Sequence, residues 1–298
     1  MGADAQIISG RLRPPMRYFG SKARLAPSLV PLFPTHSTFI DVFGGAGNVI
    51  LAKPPALHDV YNDLDTAPVN LYRVLKDRDT YRRLATLMSN SEPSLELYNQ
   101  YKNTWHTLED DVMRAFGYLV VARFSFNGQI NEPSFGFGSG GDALHRERRR
   151  WREIASVQLQ QLHERFRRIV IENRDWREVI TLYDSTGSLL YLDPPYVPQT
   201  RRSRNYRHDM AHKHHEELVK ALVGLRSKVI LSGYNHPVYS PLEHHGWQRW
   251  TKSMIMISGD SASRTLQSAT ASLRVRTLRT ESLWVSPNTA GFVRLVAP

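Results

Sequence analysis

Phe39-Ile40-Asp41-Val42-Phe43-Gly44-Gly45-Ala46-Gly47, running straight into Asn48-Val49-Ile50-Leu51-Ala52, is the stretch that decides the fold. Its first five residues form a short apolar run with β-branched and aromatic members, which predicts a buried strand. The glycines that follow let a backbone approach a ligand closely. The apolar residues after them open a helix. Val60-Tyr61 begins a second short strand ending at Asn62-Asp63, and Asp65 to Leu75 reads as helix. This is a β–turn–α–β unit. Asp63 stands close to the roughly 20-residue offset of a ribose-binding carboxylate. On these residues alone the pair fits a dinucleotide enzyme, an enzyme of another nucleoside cofactor, or a purely structural turn.

A third element separates these readings. Leu190-Tyr191-Leu192-Asp193-Pro194-Pro195-Tyr196 is an apolar strand ending in Asp-Pro-Pro-Tyr. Open α/β sheets bind ligands at the carboxyl ends of their strands. Two prolines cannot extend a central strand, because proline removes ladder donors. They predict a rigid turn that presents one carboxylate, one free carbonyl and one aromatic ring.

Further strands are expected at Ile169-Val170-Ile171, Val229-Ile230-Leu231-Ser232 and Leu283-Trp284-Val285, with a helix from about His212 to Leu225. Strands alternating with helices predict a mostly parallel sheet. Between its two halves lies a stretch of helical pattern. It contains Tyr81 to Met88, Val112 to Phe124, and a long amphipathic helix with apolar residues at Trp151, Ile154, Leu159, Leu162, Phe166 and Ile169. A glycine-rich break from Phe135 to Gly141 interrupts it and reads as a loop. The organisation expected is a tail over 1–15, a catalytic α/β domain over 16–75 and 169–298, and an inserted helical domain over 76–168.

The 298 residues carry a formal net charge of +11 and no cysteine. The absence of cysteine removes disulfides, thiolate nucleophiles and cysteine-ligated metals, and suits a reducing cytosol. The excess of basic residues favours a polyanionic partner, since neutralising phosphates releases counterions. No apolar run approaches the roughly 20 residues that cross a bilayer. The opening residues lack the apolar stretch of a secretion signal. Arginines concentrate at two places, Arg146, Arg148, Arg149 and Arg150 beside the glycine-rich break, and Arg201, Arg202, Arg204 and Arg207 after the proline turn. Arginine suits phosphate and guanine, so both clusters are expected to face a nucleic-acid partner, the first reading equally as a solvated helix face. His208, His212, His214 and His215 lack a matched carboxylate pattern and are expected to form a solvated or DNA-facing cluster rather than a metal site.

At this point the chain resembles a known family, the Dam-like (alpha-class, D12) site-specific DNA adenine-N6 methyltransferases of phage and restriction-modification type. Arg17-Tyr18-Phe19-Gly20-Ser21-Lys22 resembles the family's N-terminal cofactor motif, Phe39 to Gly47 its glycine motif, and Tyr61-Asn62-Asp63-Leu64-Asp65 its ribose-binding motif. Ile171 to Trp176 resembles the segment whose aspartate lies near the cofactor's adenine, and Thr280-Glu281-Ser282-Leu283-Trp284 resembles a C-terminal strand of phage-type members. Asp193 to Tyr196 matches the catalytic tetrapeptide without substitution.

The resemblance implies a Rossmann-like S-adenosylmethionine-dependent methyltransferase fold with an inserted target-recognition domain. It implies that Tyr18, Lys22, Phe43, Gly44, Gly45, Gly47, Asp63, Asp175 and Asp193 bind S-adenosyl-L-methionine. Asp193, Pro194, Pro195 and Tyr196 would be catalytic, and Asn127 would touch DNA beside the arginines. The implied reaction is direct methyl transfer to the N6 of a flipped adenine, with no metal. Double-stranded DNA would be the partner, a cognate restriction endonuclease a second one, and a bacterial or phage-infected cytoplasm the location. The competing expectations are a methyltransferase of RNA or of a protein amide, and a catalytically silent nucleic-acid-binding protein.

Overall fold

A computed structural model describes residues 12–18, 20–131, 133–137, 141–198, 209–257 and 276–289, with backbone alone at 127, 252–257 and 276–279. Seven strands form one sheet: β1 (Thr38–Asp41), β2 (His58–Asn62), β3 (Ile169–Glu172), β4 (Ser188–Leu192), β5 (Lys228–Tyr234), β6 (Gln248–Ile257) and β7 (Arg276–Val285). Their order is β3-β2-β1-β4-β5-β7-β6. The first five are parallel, and β7 and β6 complete the sheet in antiparallel pairing. This is the Rossmann-like α/β architecture expected from the sequence.

Alternation along the central strands divides the core in two, because successive side chains point to opposite faces. Phe39, Leu189 and Tyr191 belong to one buried cluster, and Ile40, Leu190 and Leu192 to the other. Burial on both faces is what makes these strands read as continuous apolar runs. The first cluster extends without a break into the helical stretch, through Leu84, Met88, Tyr98, Leu119, Trp151 and Phe166.

Two expectations are corrected in this region. The long amphipathic helix is a helix Gly141–Glu153 and a helix Leu159–Phe166, joined by a π-helical turn Ile154–Gln158. The wide turn rotates the apolar face, so that Trp151, Ile154, Leu159, Leu162 and Phe166 are all fully buried. Ile169 is not part of it; it opens β3. Strand β6 was not read at all. It is an edge strand starting Gln248-Arg249-Trp250-Thr251-Lys252, and charged residues on an edge blunt pairing with other chains while hiding the apolar period.

The helical stretch also holds the segment that precedes the Tyr18–Lys22 motif. Arg123 Nε and Arg17 Nη2 donate to the two oxygens of buried Glu147, each at 2.6 Å. Arg123 Nη1 donates to Pro15 O at 2.7 Å, and Gln158 Nε2 donates to Arg13 O at 2.7 Å. Removing one member of a buried ion pair strands the other charge. Glu147→Ala is therefore expected to destabilise the protein by about 3–5 kcal/mol, read from chemical denaturation. A loss below about 1 kcal/mol, the range of an exposed pair, would show that the clamp is not buried in solution.

Candidate active site

β1 ends at Asp41, and the chain turns through Phe43-Gly44-Gly45-Ala46-Gly47 before the helix Asn48–Ala52. Gly45 and Gly47 take φ of +49° and +67°, the left-handed region that glycine enters without steric cost. Gly44 is fixed by a different constraint. A Cβ there would overlap the ring of Tyr61, which is fully buried. Two tyrosine hydroxyls hold the carbonyl side of the turn: Tyr61 donates to Gly45 O and Tyr72 to Ala46 O, both at 2.6 Å.

Asp63 holds the amide side, accepting from Gly45 N at 2.6 Å and from Asp65 N at 2.7 Å. Desolvation pushes the Asp63 carboxyl up to about 7, against the pull of these backbone donors. Asn62 joins three strand ends: its amide donates to Val42 O and Arg174 O and its oxygen accepts from Arg174 N.

β4 ends at Leu192, and Asp193 follows as the prolines stop the strand. Lys22 Nζ lies 2.9 Å from Asp193 Oδ1, 4.5 Å from the centroid of the Tyr196 ring, and donates to the Tyr196 hydroxyl. That hydroxyl donates to Glu281, 2.8 and 3.0 Å from its two oxygens. The Tyr196 ring packs on Tyr234 with centroids 4.1 Å apart. Burial raises the Asp193 carboxyl to about 6; Lys22 pulls it down and Glu281 pushes it up. Asp41 is raised well above the carboxylate range by burial, with Asp193 and Asp63 adding to the effect.

The two corners open into one cavity of about 210 Å³. Of the residues picked from sequence, Tyr18, Lys22, Phe43, Gly44, Gly45, Asp63, Asp175, Asp193 and Pro195 line it. Gly47 stands behind the wall as the residue before the helix. Tyr196 is 7% exposed and its ring is packed, so the structure does not present it as an open stacking surface. Asp175 caps the helix Trp176–Tyr183 and pairs with Arg177 at 3.0 Å. Asp41, Trp176, Tyr191 and Met210 also line the cavity and were not picked out as site residues; His214, expected in a solvated or DNA-facing cluster, lines it as well. Glu281 was quoted only as part of a strand; its carboxylate reaches the site because β7 pairs with β5, setting Glu281 opposite Tyr234.

The basic residues divide. Arg146 and Arg149 are exposed. Arg148 donates to Pro93 O at 3.1 Å, and Arg150 pairs with Glu153 at 2.7 Å. Arg201, Arg202, Arg204, Arg207 and His208 lie outside the described residues, as does the side chain of Asn127. The histidine reading is corrected at one position: His215 is fully buried, its Nδ1 2.9 Å from the Tyr239 hydroxyl, and so is neither solvated nor DNA-facing. It lies on the inward side of the helix His212–Leu222 with Leu218 and Leu222. Among the described residues no cluster of His, Asp and Glu could hold a metal ion, and no helix is long and apolar enough to cross a membrane.

Comparison with known proteins agrees with the geometry. The sequence pattern of the family described as D12 class N6 adenine-specific DNA methyltransferase matches residues 18–253. The chain is similar to the modification methylase StsI of Streptococcus sanguinis, 24% identical over 200 residues that cover 63% of this chain and 29% of that protein. It is similar to the type II methyltransferase M.FokI of Planomicrobium okeanokoites, 26% identical over 63% of this chain and 30% of that protein. The DNA adenine methylase of Salmonella typhi is 22% identical over 74% of this chain and 80% of its own length. The chain spans about three tenths of the length of the first two methylases.

Gly44 gives a direct test of the turn. Gly44→Ala is expected to cost about 1–3 kcal/mol, the range for overpacking a tight core, seen as a lower unfolding midpoint. An unchanged midpoint would mean that Tyr61 does not press on the turn as described.

Proposed function

Because the chain belongs to the D12 class of N6 adenine-specific DNA methyltransferases, we propose that it transfers a methyl group from S-adenosylmethionine to the exocyclic N6 of an adenine flipped out of double-stranded DNA. The observation that carries this reading is that the glycine turn and the Asp193 carboxylate border the same cavity.

The donors present suit that cofactor. Gly44 and Gly45 line the cavity with backbone, which a ligand can lie against. Asp63 is an acceptor at the end of β2. Gly45 N and Asp65 N take two of its roughly four lone-pair sites and the Leu64 amide also faces it, so acceptor capacity for a ribose hydroxyl remains. Tyr18, Phe43, Asp175 and Trp176 supply flat and polar walls. When bound, S-adenosylmethionine supplies an electrophilic methyl group carried on a positive sulfonium.

The chain's own residues then act on the target base. Extruding the adenine costs a few kcal/mol. Tyr196 offers a ring for stacking, worth about 1–3 kcal/mol once that face is cleared. The Asp193 carboxylate and the Pro194 carbonyl accept hydrogen bonds from the amine and orient its lone pair toward the donor. As the new N–CH3 bond forms and the sulfonium S–CH3 bond breaks, positive charge develops on that nitrogen, where a fixed anion stabilises it best, and the surplus proton then departs to solvent. Holding both partners in one cavity removes the entropy of their encounter.

On this reading residues 76–168 form the target-recognition insert. On the same reading Arg146, Arg149, the arginines at 201, 202, 204 and 207, and Asn127 contact the duplex. The protein works in a bacterial or phage-infected cytoplasm, with a restriction endonuclease of the same target as a candidate partner. Family membership favours this reading over RNA, a protein amide or a silent binder.

Asp193→Ala is expected to remove the anionic acceptor and lower single-turnover methyl transfer by at least about 10²-fold, with the fold retained. Near-normal turnover in that variant would reject the proposed role.

A second expectation follows from Asp63. Its carboxyl sits at about 7 and must be ionised to accept a further hydroxyl donor. Below that pH it is protonated, so cofactor affinity should strengthen as pH rises from about 6 to about 8, by up to about tenfold. Calorimetric titration of S-adenosylmethionine should show this, and Asp63→Asn should flatten it. An equal pH slope in both proteins would place the titrating group elsewhere.

A further inference from the structure

Lys22 occupies a place that the proposed reaction needs for something else. Its ammonium sits 2.9 Å from Asp193 Oδ1 and over the face of Tyr196, 4.5 Å from the ring centroid. Acid and ring face are the two partners assigned above to the target amine and its base. The ammonium and an entering adenine cannot both hold them.

Lys22 is 7% exposed, and a cation leaving Asp193 there with no other anion in reach would be buried and poorly compensated. A second anion is in reach. Glu281 Oε1 lies 3.9 Å from the same ammonium, in a carboxylate that is 6% exposed. Its oxygens face the Tyr196 hydroxyl, and a carboxylate accepts up to about four hydrogen bonds, so capacity for an ammonium remains. The backbone carrying it is fixed within the sheet, since β7 is paired on both sides.

We propose that Glu281 is a positioning residue that takes the Lys22 ammonium from Asp193 when the target amine enters, and thereby frees both the carboxylate and the ring face of Tyr196. Glu281 acts through Lys22 and Tyr196 and does not touch the base. The proposal rests on the reading of Asp193 as the acceptor of the target amine; the two-anion cradle itself is testable without DNA.

The cradle is read by acetylating the whole protein with trace acetic anhydride and mapping Lys22 by mass spectrometry. Lys53, buried and 2.7 Å from Asp59, serves as the control lysine. Asp193→Asn and Glu281→Gln should each leave Lys22 nearly as slow to react as in the parent protein, because one carboxylate remains. The double variant should react about tenfold faster, as for the loss of about one pK unit of ammonium stabilisation. Asp193→Asn alone reacting as fast as the double variant, a double variant no faster than the parent, or an equal rise at Lys53 would each overturn the proposal.

In turnover, Glu281→Gln should lower kcat/KM for adenine-containing duplex by about tenfold or more while cofactor affinity stays unchanged, and Glu281→Asp should regain most of the loss. A Glu281→Gln protein within about twofold of the parent, or one that loses cofactor affinity in parallel, would contradict the positioning role. A parent protein that binds the cofactor, shows the predicted labelling pattern and methylates no adenine would defeat the functional reading and leave the cradle standing.

Discussion

The structure depends on the pairing of β1 with β4. These strands are neighbours in space but far apart in sequence, in register from Thr38 opposite Ser188 to Asp41 opposite Tyr191. The chain proceeds from β1 toward β2 and β3 on one side, and from β4 toward β5 on the other. Connections leaving two adjacent parallel strands in opposite directions leave a crevice beyond their carboxyl ends. The backbone bond from Val42 N to Tyr191 O, 3.0 Å long, carries the pairing to the lip of that crevice. The glycine turn and Asp193 are the next residues out on each side, so the site follows from the topology.

What lines the crevice is then a matter of holding polar groups where water is scarce. Tyr61 and Tyr72 fix the turn from behind, Asp63 from the front, and Asn62 ties the neighbouring strand ends together. The helical stretch adds the remaining wall indirectly. Its Arg123 and Gln158 hold the carbonyls of Pro15 and Arg13 and its Glu147 holds the Arg17 side chain, and that segment leads to Tyr18 and Lys22 at the cavity. One of the two buried clusters runs without a break through these helices and the sheet.

Much of this was legible in the sequence because it is local. The apolar runs at 39–43 and 189–192, the glycines between strand and helix, and a carboxylate at each strand end are all set by neighbouring residues. The parts that were missed depend on distant pairings. Glu281 meets Tyr196 across 85 positions, through an antiparallel strand whose polar start hides its period. His215 looks like one member of a polar cluster until the helix is placed and its inward face is seen. The π-helical turn at Ile154–Gln158 breaks a pattern that a uniform 3.6-residue period describes well on either side. The packing of Tyr196 was missed for a similar reason: the tetrapeptide defines the corner, but its ring and hydroxyl are claimed by Tyr234, Lys22 and Glu281 from elsewhere in the chain.

The account's central claim is that this crevice brings a sulfonium methyl donor to the amino group of adenine. The most direct measurement incubates the protein with isotope-labelled S-adenosylmethionine and duplex DNA, then digests the DNA to nucleosides and identifies the labelled one by mass spectrometry. Label in N6-methyl-2′-deoxyadenosine is the result expected. Label confined to a cytosine product, or none in DNA while the cofactor is bound, would contradict the account.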